Sequence, residues 1–489
     1  MTDQTRTDQT RTDTTFDVIV IGGGPVGENV ADRTIQGGLS TVIVESELVG
    51  GECSYWACMP SKALLRSGAA LSAARRVAGS AEAVTGQLDV AAVLRRRDSF
   101  ASHWSDSGQV DWLDSAGIGL VRGHARLSGV REVTVTGSDG QATVLTARHA
   151  VVVSTGSSAL LPDIPGIGTV DPWTSREATS AQQIPVSLAI IGGGVTAAEM
   201  ATAYTELGAR VTLIVRHTLL GNEEPFAGEL VTAALRAAGA TVLTGEAPVL
   251  AMRAADGDVV LTLASGGTVT ANEVLVATGR APRTADLGLE SIGLPEGGWL
   301  AVDDTLLVQG DSPELAGDWL YAAGDVNHRA LLTHQGKYQA RAAGDVIVAR
   351  ASGRAVDDTP WGTHVATADH AAVPQVTFTD PEVASVGLTR AKAEKAGFRI
   401  RVLDYEIGSV SGASLQADGY TGTARAIVDL DREVLLGVTF VGQDVAELLH
   451  AATIAVVGEV PIARLWHAVP AYPTMSEVWL RLLEAYGRP

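Results

Sequence analysis

Two cysteines, Cys53 and Cys58, carry the most distinctive chemistry of this sequence. They are its only cysteines and lie within GGECSYWACMPSK. On a regular helix their spacing corresponds to about 7.5 Å of rise, whereas a disulfide needs Cα atoms within about 4.4 to 6.8 Å. A bridge here therefore requires a distorted turn, which Gly50, Gly51 and Pro60 permit, and strained bridges are reduced more easily. The pair is a candidate redox-active disulfide; the alternative is two small buried apolar side chains.

A cation follows the second cysteine closely. Lys62 stands four positions after Cys58, where its charge would stabilise a thiolate. The alternative is a solvated surface lysine.

A glycine-rich turn precedes the cysteines. Gly22, Gly24 and Gly27 form G-x-G-x-x-G between an apolar strand and a helix, and this pattern lets a backbone approach a pyrophosphate at a helix N-terminus. Glu45 ends the next strand, where a carboxylate accepts hydrogen bonds from an adenosine ribose. Strand, turn, helix, strand and acid follow in the order that predicts a dinucleotide site.

The same arrangement recurs later in the chain. Gly192, Gly194 and Ala197 form the second turn, and Arg216 and His217 follow its second strand in place of an acid. A guanidinium pairs with a ribose 2′-phosphate, which a carboxylate would repel. The second unit is therefore predicted to prefer NADPH, with NADH as the alternative; a solvated arginine at a strand end is the other interpretation.

The elements that must position these residues indicate an α/β protein with two dinucleotide-binding units. Residues 62–112 are predicted to be mostly helical, and residues 119–153 to form a small antiparallel meander. Strands and helices mix after about residue 361, and prolines at 360, 374 and 381 favour a boundary near 360.

Composition limits the partners. The 56 acidic and 36 basic residues give a net charge of −20, which disfavours nucleic acid and anionic membranes. No apolar run is long enough to predict a membrane span. The polar first residues predict a disordered tail without a secretion signal, and the two cysteines favour a reducing cytoplasm.

Together these motifs resemble the flavoprotein pyridine nucleotide-disulfide oxidoreductases, which include dihydrolipoamide dehydrogenase, glutathione reductase and mercuric reductase. The resemblance covers essentially everything from Phe16 onward. Its further motifs are ATGR at 277–280, AGD at 323–325, TDPEVASVG at 379–387 and PTMSE at 473–477.

The resemblance implies two Rossmann-like domains, for FAD and NAD(P), and a C-terminal α+β dimerisation domain. The implied boundaries are 1–15 for the tail, 16–158 and 283–358 for the FAD domain, 159–282 for the NAD(P)H domain and 361–489 for the dimerisation domain. It also implies a homodimer with a composite active site.

Roles for single residues follow from the same resemblance. Cys58 resembles the charge-transfer cysteine nearest the flavin, and Cys53 the interchange cysteine that meets the substrate. Lys62 and Glu199 resemble an ion pair beside the flavin. The implied cofactor-binding residues, for FAD and the nicotinamide nucleotide together, are Gly22, Gly24, Gly27, Glu45, Gly51, Lys62, Thr155, Gly156, Gly192, Gly194, Ala197, Arg216, His217, Gly279, Arg280, Gly324 and Asp325.

The sequence departs from the family near its end. The family's disulfide reductases carry His-Pro-Thr and an orienting glutamate, whereas this chain has Tyr472, Pro473 and Thr474, followed by Glu477. A tyrosine, with an ordinary pKa of about 10, does not shuttle protons at neutral pH but donates a hydrogen bond or a proton to a leaving thiolate. His467 is the alternative base. Mercuric reductase is similar in having this tyrosine, but its C-terminal cysteine pair is absent here.

The leading hypothesis is an NADPH-dependent reductase of a small disulfide or related electrophile. The alternatives are a quinone reductase or diaphorase, a metal-ion reductase, a dihydrolipoamide dehydrogenase-like enzyme, and a non-catalytic interaction protein. No bound metal ion is predicted. Tyr55 and Trp56, between the cysteines, are predicted either to shape the substrate mouth or to pack in the interior.

Overall fold

The computed structural model of the chain describes residues 14–488. Most of the predicted tail at 1–15 lies outside the described residues, and Thr15 begins the first strand. The strands are β1 (Thr15–Ile21), β2 (Thr41–Glu45), β3 (Gly119–Arg122), β4 (His124–Gly129), β5 (Glu132–Thr136), β6 (Ala142–Val153), β7 (Ser157–Ala159), β8 (Ser187–Ile191), β9 (Arg210–Val215), β10 (Thr241–Thr244), β11 (Pro248–Arg253), β12 (Val259–Leu263), β13 (Thr268–Ala271), β14 (Glu273–Val276), β15 (Arg280–Pro282), β16 (Leu320–Ala322), β17 (Pro374–Thr377), β18 (Glu382–Gly387), β19 (Ile400–Glu406), β20 (Thr423–Asp429) and β21 (Val434–Gly442).

The helices confirm the predicted alternation of strands and helices. They are α1 (Pro25–Gln36), α2 (Gly51–Tyr55), α3 (Cys58–Arg75), α4 (Ser80–Ala83), α5 (Val90–Phe100), α6 (Ser107–Ala116), α7 (Ser175–Ser180), α8 (Val195–Glu206), α9 (Pro225–Ala237), α10 (Thr333–Ala351), α11 (Ala368–Ala371), α12 (Arg390–Lys395), α13 (Ser411–Gln416), α14 (Leu449–Val457), α15 (Ile462–Leu465) and α16 (Glu477–Tyr486). Among residues 14–488, no helix is long and apolar enough to cross a membrane.

The described chain forms two compact units, each assembled from three segments. The first contains the described residues up to 51 together with 106–157 and 282–366. The second contains 52–105, 158–281 and the described residues from 367 onward. The predicted domain boundaries remain a prediction.

A single sheet organises the first unit. Its strand order is β3-β2-β1-β6-β5-β4, and β16 also pairs with β6. β1 and β2 pair in parallel, and residues 18–21 and 41–44 are buried, as expected for central strands covered on both faces. α1 packs against α10, and the turn between β1 and α1 lies at the carboxyl end of β1, where such sheets bind ligands.

The predicted antiparallel meander at 119–153 is only partly right. β4, β5 and the first half of β6 pair antiparallel, but β3 pairs parallel with β2 and the second half of β6 pairs parallel with β1. Val151, Val152 and Val153 are fully buried. This apolar run places β6 in the centre of the parallel sheet, so the meander is an extension of that sheet.

The described part of the second unit contains three sheets of three or more strands, and β7 pairs with β15 in a two-stranded sheet. The parallel sheet β10-β9-β8-β14 belongs to the second glycine turn, β11-β12-β13 is antiparallel, and the C-terminal region forms the antiparallel sheet β17-β18-β21-β20-β19. α8, which follows the second turn, is buried along most of its length. The predicted α/β class with an additional C-terminal α+β region is confirmed.

Candidate functional site

The first glycine turn has the backbone of a dinucleotide cradle. Gly22 has a φ of +104°, and a Cβ there would lie 2.5 Å from the Ser154 carbonyl oxygen. At Gly27 a Cβ would lie 2.0 Å from the Gly22 oxygen, so α1 and the turn approach more closely than any larger residue allows. Gly24 is the N-cap of α1, whose first amides have no partner within the helix. The turn therefore offers backbone donors to an anion.

Glu45 is fixed beside this turn. Its Oε2 accepts a hydrogen bond from the Gly23 amide at 2.7 Å, and its Oε1 accepts one from the Glu47 amide at 2.7 Å. Gly51 approaches the same turn, since a Cβ on it would lie 2.9 Å from the Gly24 Cα. The carboxylate is thus oriented by the backbone at the place predicted for the ribose.

Further predicted FAD residues belong to the same unit. Ser157 Oγ donates to Asp325 Oδ2 at 2.5 Å, and the Gly324 amide donates to Gln339 Oε1 at 2.7 Å. Thr155, which precedes Gly156, has a buried Oγ1 without a hydrogen-bond partner among the described residues. A buried hydroxyl that lacks a partner, beside a glycine-lined cradle, is what a polar ligand such as FAD would complete.

Glu28 is a residue of this cradle that the sequence reasoning missed. It lies in the first turn of α1, and its Oε1 is buried without a partner among the described residues. Burial raises its pKa to about 7; Lys337 opposes the shift and Glu45 adds to it. The sequence feature that could have indicated this residue is an acidic side chain directly after Gly27, the third glycine of the turn.

The second glycine turn repeats this geometry in the second unit. Gly192 has a φ of +144°, and a Cβ there would lie 2.2 Å from the Ala277 carbonyl oxygen. Gly194 is the N-cap of α8, and Ala197 is fully buried in that helix. Gly279, another of the predicted cofactor-binding residues, accepts a hydrogen bond at its carbonyl oxygen from the Leu160 amide at 3.0 Å.

Two exposed basic residues follow this unit's second strand. Arg216 and His217 come directly after β9 and are solvent-exposed. The corresponding place in the first unit belongs to Glu45, whose strand β2 ends at that residue. The two units therefore present opposite charges where an adenosine ribose is expected.

The two cysteines stand on either side of a helix break. Cys53 lies in α2, which ends at Tyr55, and Cys58 begins α3. Both are half-buried, and Ser61 Oγ donates to the Cys58 carbonyl oxygen at 3.2 Å. The distorted turn that the spacing requires is present. Tyr55 is fully buried, which supports a packing role for that residue.

Lys62 forms a half-buried ion pair one turn further along α3. Its Nζ lies 2.7 Å from Oε2 of Glu199, and only 4% of the Glu199 side chain is exposed. Glu199 Oε1 accepts a hydrogen bond from the Phe378 amide at 3.0 Å, and Lys62 Nζ lies 5.2 Å from the centroid of the Phe378 ring. The carboxylate holds the ammonium in one position while leaving it partly accessible.

The C-terminal candidates divide into one buried and two exposed residues. Glu477 is 6% exposed at the start of α16, and its Oε2 accepts a hydrogen bond from the Gly412 amide at 3.1 Å. Tyr472 is 76% exposed, and His467 is exposed too. Within one chain the structure leaves Tyr472 on the surface.

The sequence also missed the residues that support the inter-cysteine segment. Arg176 in α7 forms an ion pair with Glu52 at 2.6 Å and lies over the Trp56 ring at 4.1 Å from its centroid. No local sequence motif predicts this contact, because α7 is far from the cysteines along the chain.

Comparison with known proteins finds similarity over most of the chain. The sequence pattern described as pyridine nucleotide-disulphide oxidoreductase matches residues 16–351, and that family's dimerisation domain matches residues 373–482. A dihydrolipoyl dehydrogenase from Thermus scotoductus is 33% identical over 96% of this chain and 97% of its own length. A mercuric reductase from Streptomyces lividans is 32% identical, covering 95% of this chain and 94% of its own.

One solved structure extends the comparison to the fold. The Cu(II) complex of the HOCl-induced flavoprotein disulfide reductase RclA from Escherichia coli superposes with a TM-score of 0.81. The match covers 96% of this chain and 99% of the other at 21% identity, which establishes a shared fold.

Proposed function

This chain belongs to the pyridine nucleotide-disulphide oxidoreductase family, and from that premise we propose that it is an NADPH-dependent reductase of a small disulfide or a related electrophile. Membership makes it an FAD-dependent oxidoreductase that uses a pyridine nucleotide. The proposal concerns the nucleotide preference, the acceptor and the residues that act on it.

The observation that carries the proposal is the arrangement around the two cysteines. Cys53 and Cys58 flank a helix break, and Lys62, one turn further on, is held by the buried Glu199 carboxylate. A positioned cation stabilises negative charge that develops nearby. Arg216 supports NADPH, since an exposed guanidinium at this strand end pairs with a 2′-phosphate.

FAD, when bound, supplies the two-electron carrier between the nicotinamide and the cysteine pair. The reduced pair then acts on the acceptor. The Cys53 thiolate attacks one sulfur of the acceptor disulfide, forming a mixed disulfide and releasing a thiolate that takes up a proton. The Cys58 thiolate next attacks the Cys53 sulfur, which breaks the mixed disulfide, restores the Cys53–Cys58 bond and releases a second thiolate that takes up a proton.

Tyr472 is proposed as the hydrogen-bond donor to the departing thiolate in a homodimer. Its exposure of 76% within one chain leaves it available to a partner subunit's site, and Glu477 connects the start of α16 to α13 by accepting from the Gly412 amide. The proposed role uses the phenol O–H as a hydrogen-bond donor.

The test is anaerobic titration of the purified yellow holoenzyme with NADPH, monitored by its visible spectrum. A long-wavelength band that appears with NADPH and is lost in Cys58→Ser would support the disulfide route. In the Cys53→Ser variant, flavin reduction should survive while turnover of a disulfide such as oxidised glutathione or lipoamide is lost. Full disulfide turnover in Cys53→Ser would refute the proposal.

A second candidate is reduction of a quinone or a metal ion. It is favoured by Tyr472, which replaces the histidine that a disulfide reductase uses, and by the mercuric reductases among the relatives. Quinone turnover that is unchanged in Cys53→Ser, with plain flavin bleaching and no long-wavelength band, would favour this function. The absence of a second cysteine pair in the sequence argues against mercury as the acceptor.

A further inference from the structure

Side chains of α7 contact the segment from Glu52 to Trp56, which contains Cys53, at three points. Arg176 Nε donates to Glu52 Oε1 at 2.6 Å, and the Arg176 guanidinium carbon lies 4.1 Å from the Trp56 ring centroid. Thr179 Oγ1 lies within hydrogen-bond distance of the Trp56 carbonyl oxygen at 2.9 Å and shares its single hydrogen with the Ser175 carbonyl oxygen at 2.8 Å. These four residues, Glu52, Trp56, Arg176 and Thr179, are called the inter-cysteine clamp below.

Two members of the clamp, Glu52 and Trp56, lie close to the cysteines in the sequence. Glu52 immediately precedes Cys53, and Trp56 lies two positions before Cys58. The Trp56 amide donates to the Glu52 carbonyl oxygen at 2.8 Å, which closes the last turn of α2. Arg176 therefore fixes both ends of one helical turn, just before the break that separates the cysteines.

Hydrogen bonds to neighbouring helices anchor α7, which carries Arg176 and Thr179. A capping box starts α7, with the Thr174 amide donating to Glu177 Oε2 at 2.7 Å. Tyr204 OH donates to the Ala178 carbonyl oxygen at 2.6 Å. The fully buried Arg97 donates to the Ala181 carbonyl oxygen at 2.8 Å. Helix α7 is thus anchored to α8 and α5, and its side chains act as fixed points.

Such fixed points matter when the disulfide opens. A continuous helix would move the cysteine Cα atoms to about 7.5 Å of rise, beyond the range of a disulfide, so relaxation of the reduced segment would separate the sulfurs. A clamp that keeps the segment bent in the dithiol state keeps the sulfurs close. Their effective concentration, and with it the stability of the disulfide relative to the dithiol, then rises.

We propose that Arg176 is a positioning residue for the redox pair: through Glu52 and Trp56 it keeps the inter-cysteine segment bent in both redox states. The inference rests on the proposed redox role of Cys53 and Cys58. In the redox equilibrium concerned, the Cys53–Cys58 disulfide takes up two electrons and two protons and becomes two thiols. Arg176 itself neither reacts nor exchanges a proton.

The test equilibrates the holoenzyme anaerobically in dithiothreitol buffers of graded oxidised-to-reduced ratio and counts the two thiols by alkylation and mass spectrometry. Arg176→Met should shift the equilibrium about tenfold toward the dithiol, a change of about 30 mV to more positive potential. Arg176→Lys, which keeps the charge without the planar fork, should fall between Met and wild type. Glu52→Gln should shift it in the same direction and by less.

A matched control is Arg390→Met, which breaks the exposed Arg390–Glu394 ion pair on α12 and should leave the potential unchanged. An unchanged potential in both Arg176→Met and Glu52→Gln would overturn the inference. A raised KM for the disulfide acceptor at unchanged potential would also overturn it, because Arg176 would then be a substrate contact. A wild-type enzyme without any two-thiol equilibrium would refute the proposed function itself. The two failures are therefore distinguishable, and Glu52→Gln decides the matter if Arg176→Met does not fold.

Discussion

The ammonium of Lys62 and the carboxylate of Glu199 meet at 2.7 Å, with the carboxylate buried and the ammonium about one-third exposed. This asymmetry makes the two partners unequal. Glu199 depends on Lys62 for charge compensation, because a buried carboxylate without a partner is costly. Lys62 without Glu199 still reaches water, but it loses the contact that fixes its position.

The asymmetry predicts different consequences for the two substitutions. Lys62→Met should lower the free energy of unfolding by about 3 kcal/mol, since it leaves Glu199 buried and charged. Glu199→Gln should cost about 1 kcal/mol and slow flavin reduction by NADPH about tenfold or more, because the cation is no longer held. Urea denaturation and anaerobic stopped-flow absorbance measure the two effects.

The double variant Lys62→Met/Glu199→Gln is the control for this prediction. Removing both charges should recover part of the stability lost in Lys62→Met, while flavin reduction stays slow. Equal losses of stability in both single variants would contradict the asymmetry.

The sequence predicted the parts of the site that depend on local pattern. The turn at Gly22 and Gly27 could be predicted because only glycine tolerates the close backbone approaches seen there. The helix break between Cys53 and Cys58 could be predicted because the disulfide range and the helical rise are incompatible. Such constraints lie within a few consecutive residues, so a single sequence displays them.

Contacts between distant segments could not be predicted in this way. Arg176 lies far along the chain from Glu52 and Trp56, and only the folded α7 brings it over them. The pairing of β6 was predicted wrongly for a related reason. Its alternating first half indicated a meander, whereas burial of its second half is decided by β1 and β16, its neighbours on either side.

Arg216 gives the prediction for nucleotide preference. Arg216→Met should lower kcat/KM for NADPH by about 10- to 100-fold, the value of one charge-assisted hydrogen bond of about 1.5 to 3 kcal/mol, and leave kcat/KM for NADH nearly unchanged. Steady-state kinetics with both nucleotides measure this. Arg210, exposed at the opposite end of β9, is the matched control, and Arg210→Met should change neither value. A parallel loss with both nucleotides in Arg216→Met would disprove a 2′-phosphate contact.

Glu206 gives a prediction for pH. Its carboxylate packs directly against Gly68 of α3. A Cβ built on Gly68 would lie only 1.8 Å from Glu206 Oε2. Burial, and to a lesser extent Asp380, raises its pKa from 4.5 to about 7, and Arg76 opposes the shift. The folded protein therefore keeps a proton that the unfolded chain releases between pH 4.5 and 7, so this group's contribution to stability is lost as pH rises through that window.

Glu206→Gln should remove that part of the pH dependence. We expect the variant to match wild type near pH 4.5 and to exceed its free energy of unfolding by about 3 kcal/mol at pH 8. Denaturation at a series of pH values, wild type against variant, measures the difference. Parallel pH profiles of the two proteins would show that Glu206 does not titrate in this window.

Tyr472 and His467 compete for the role of proton donor, and their substitutions should separate them. Tyr472→Phe should lower disulfide turnover about 100-fold, the range of general acid catalysis, without a change in stability, because Tyr472 is 76% exposed. His467→Gln should leave turnover unchanged. Tyr472→His should retain the activity that Tyr472→Phe loses. It should also move the pH dependence of kcat toward neutrality, since an imidazole titrates near pH 6.5. If His467→Gln abolishes turnover while Tyr472→Phe does not, His467 is the proton donor, and the exposed tyrosine belongs to substrate binding or to the subunit interface.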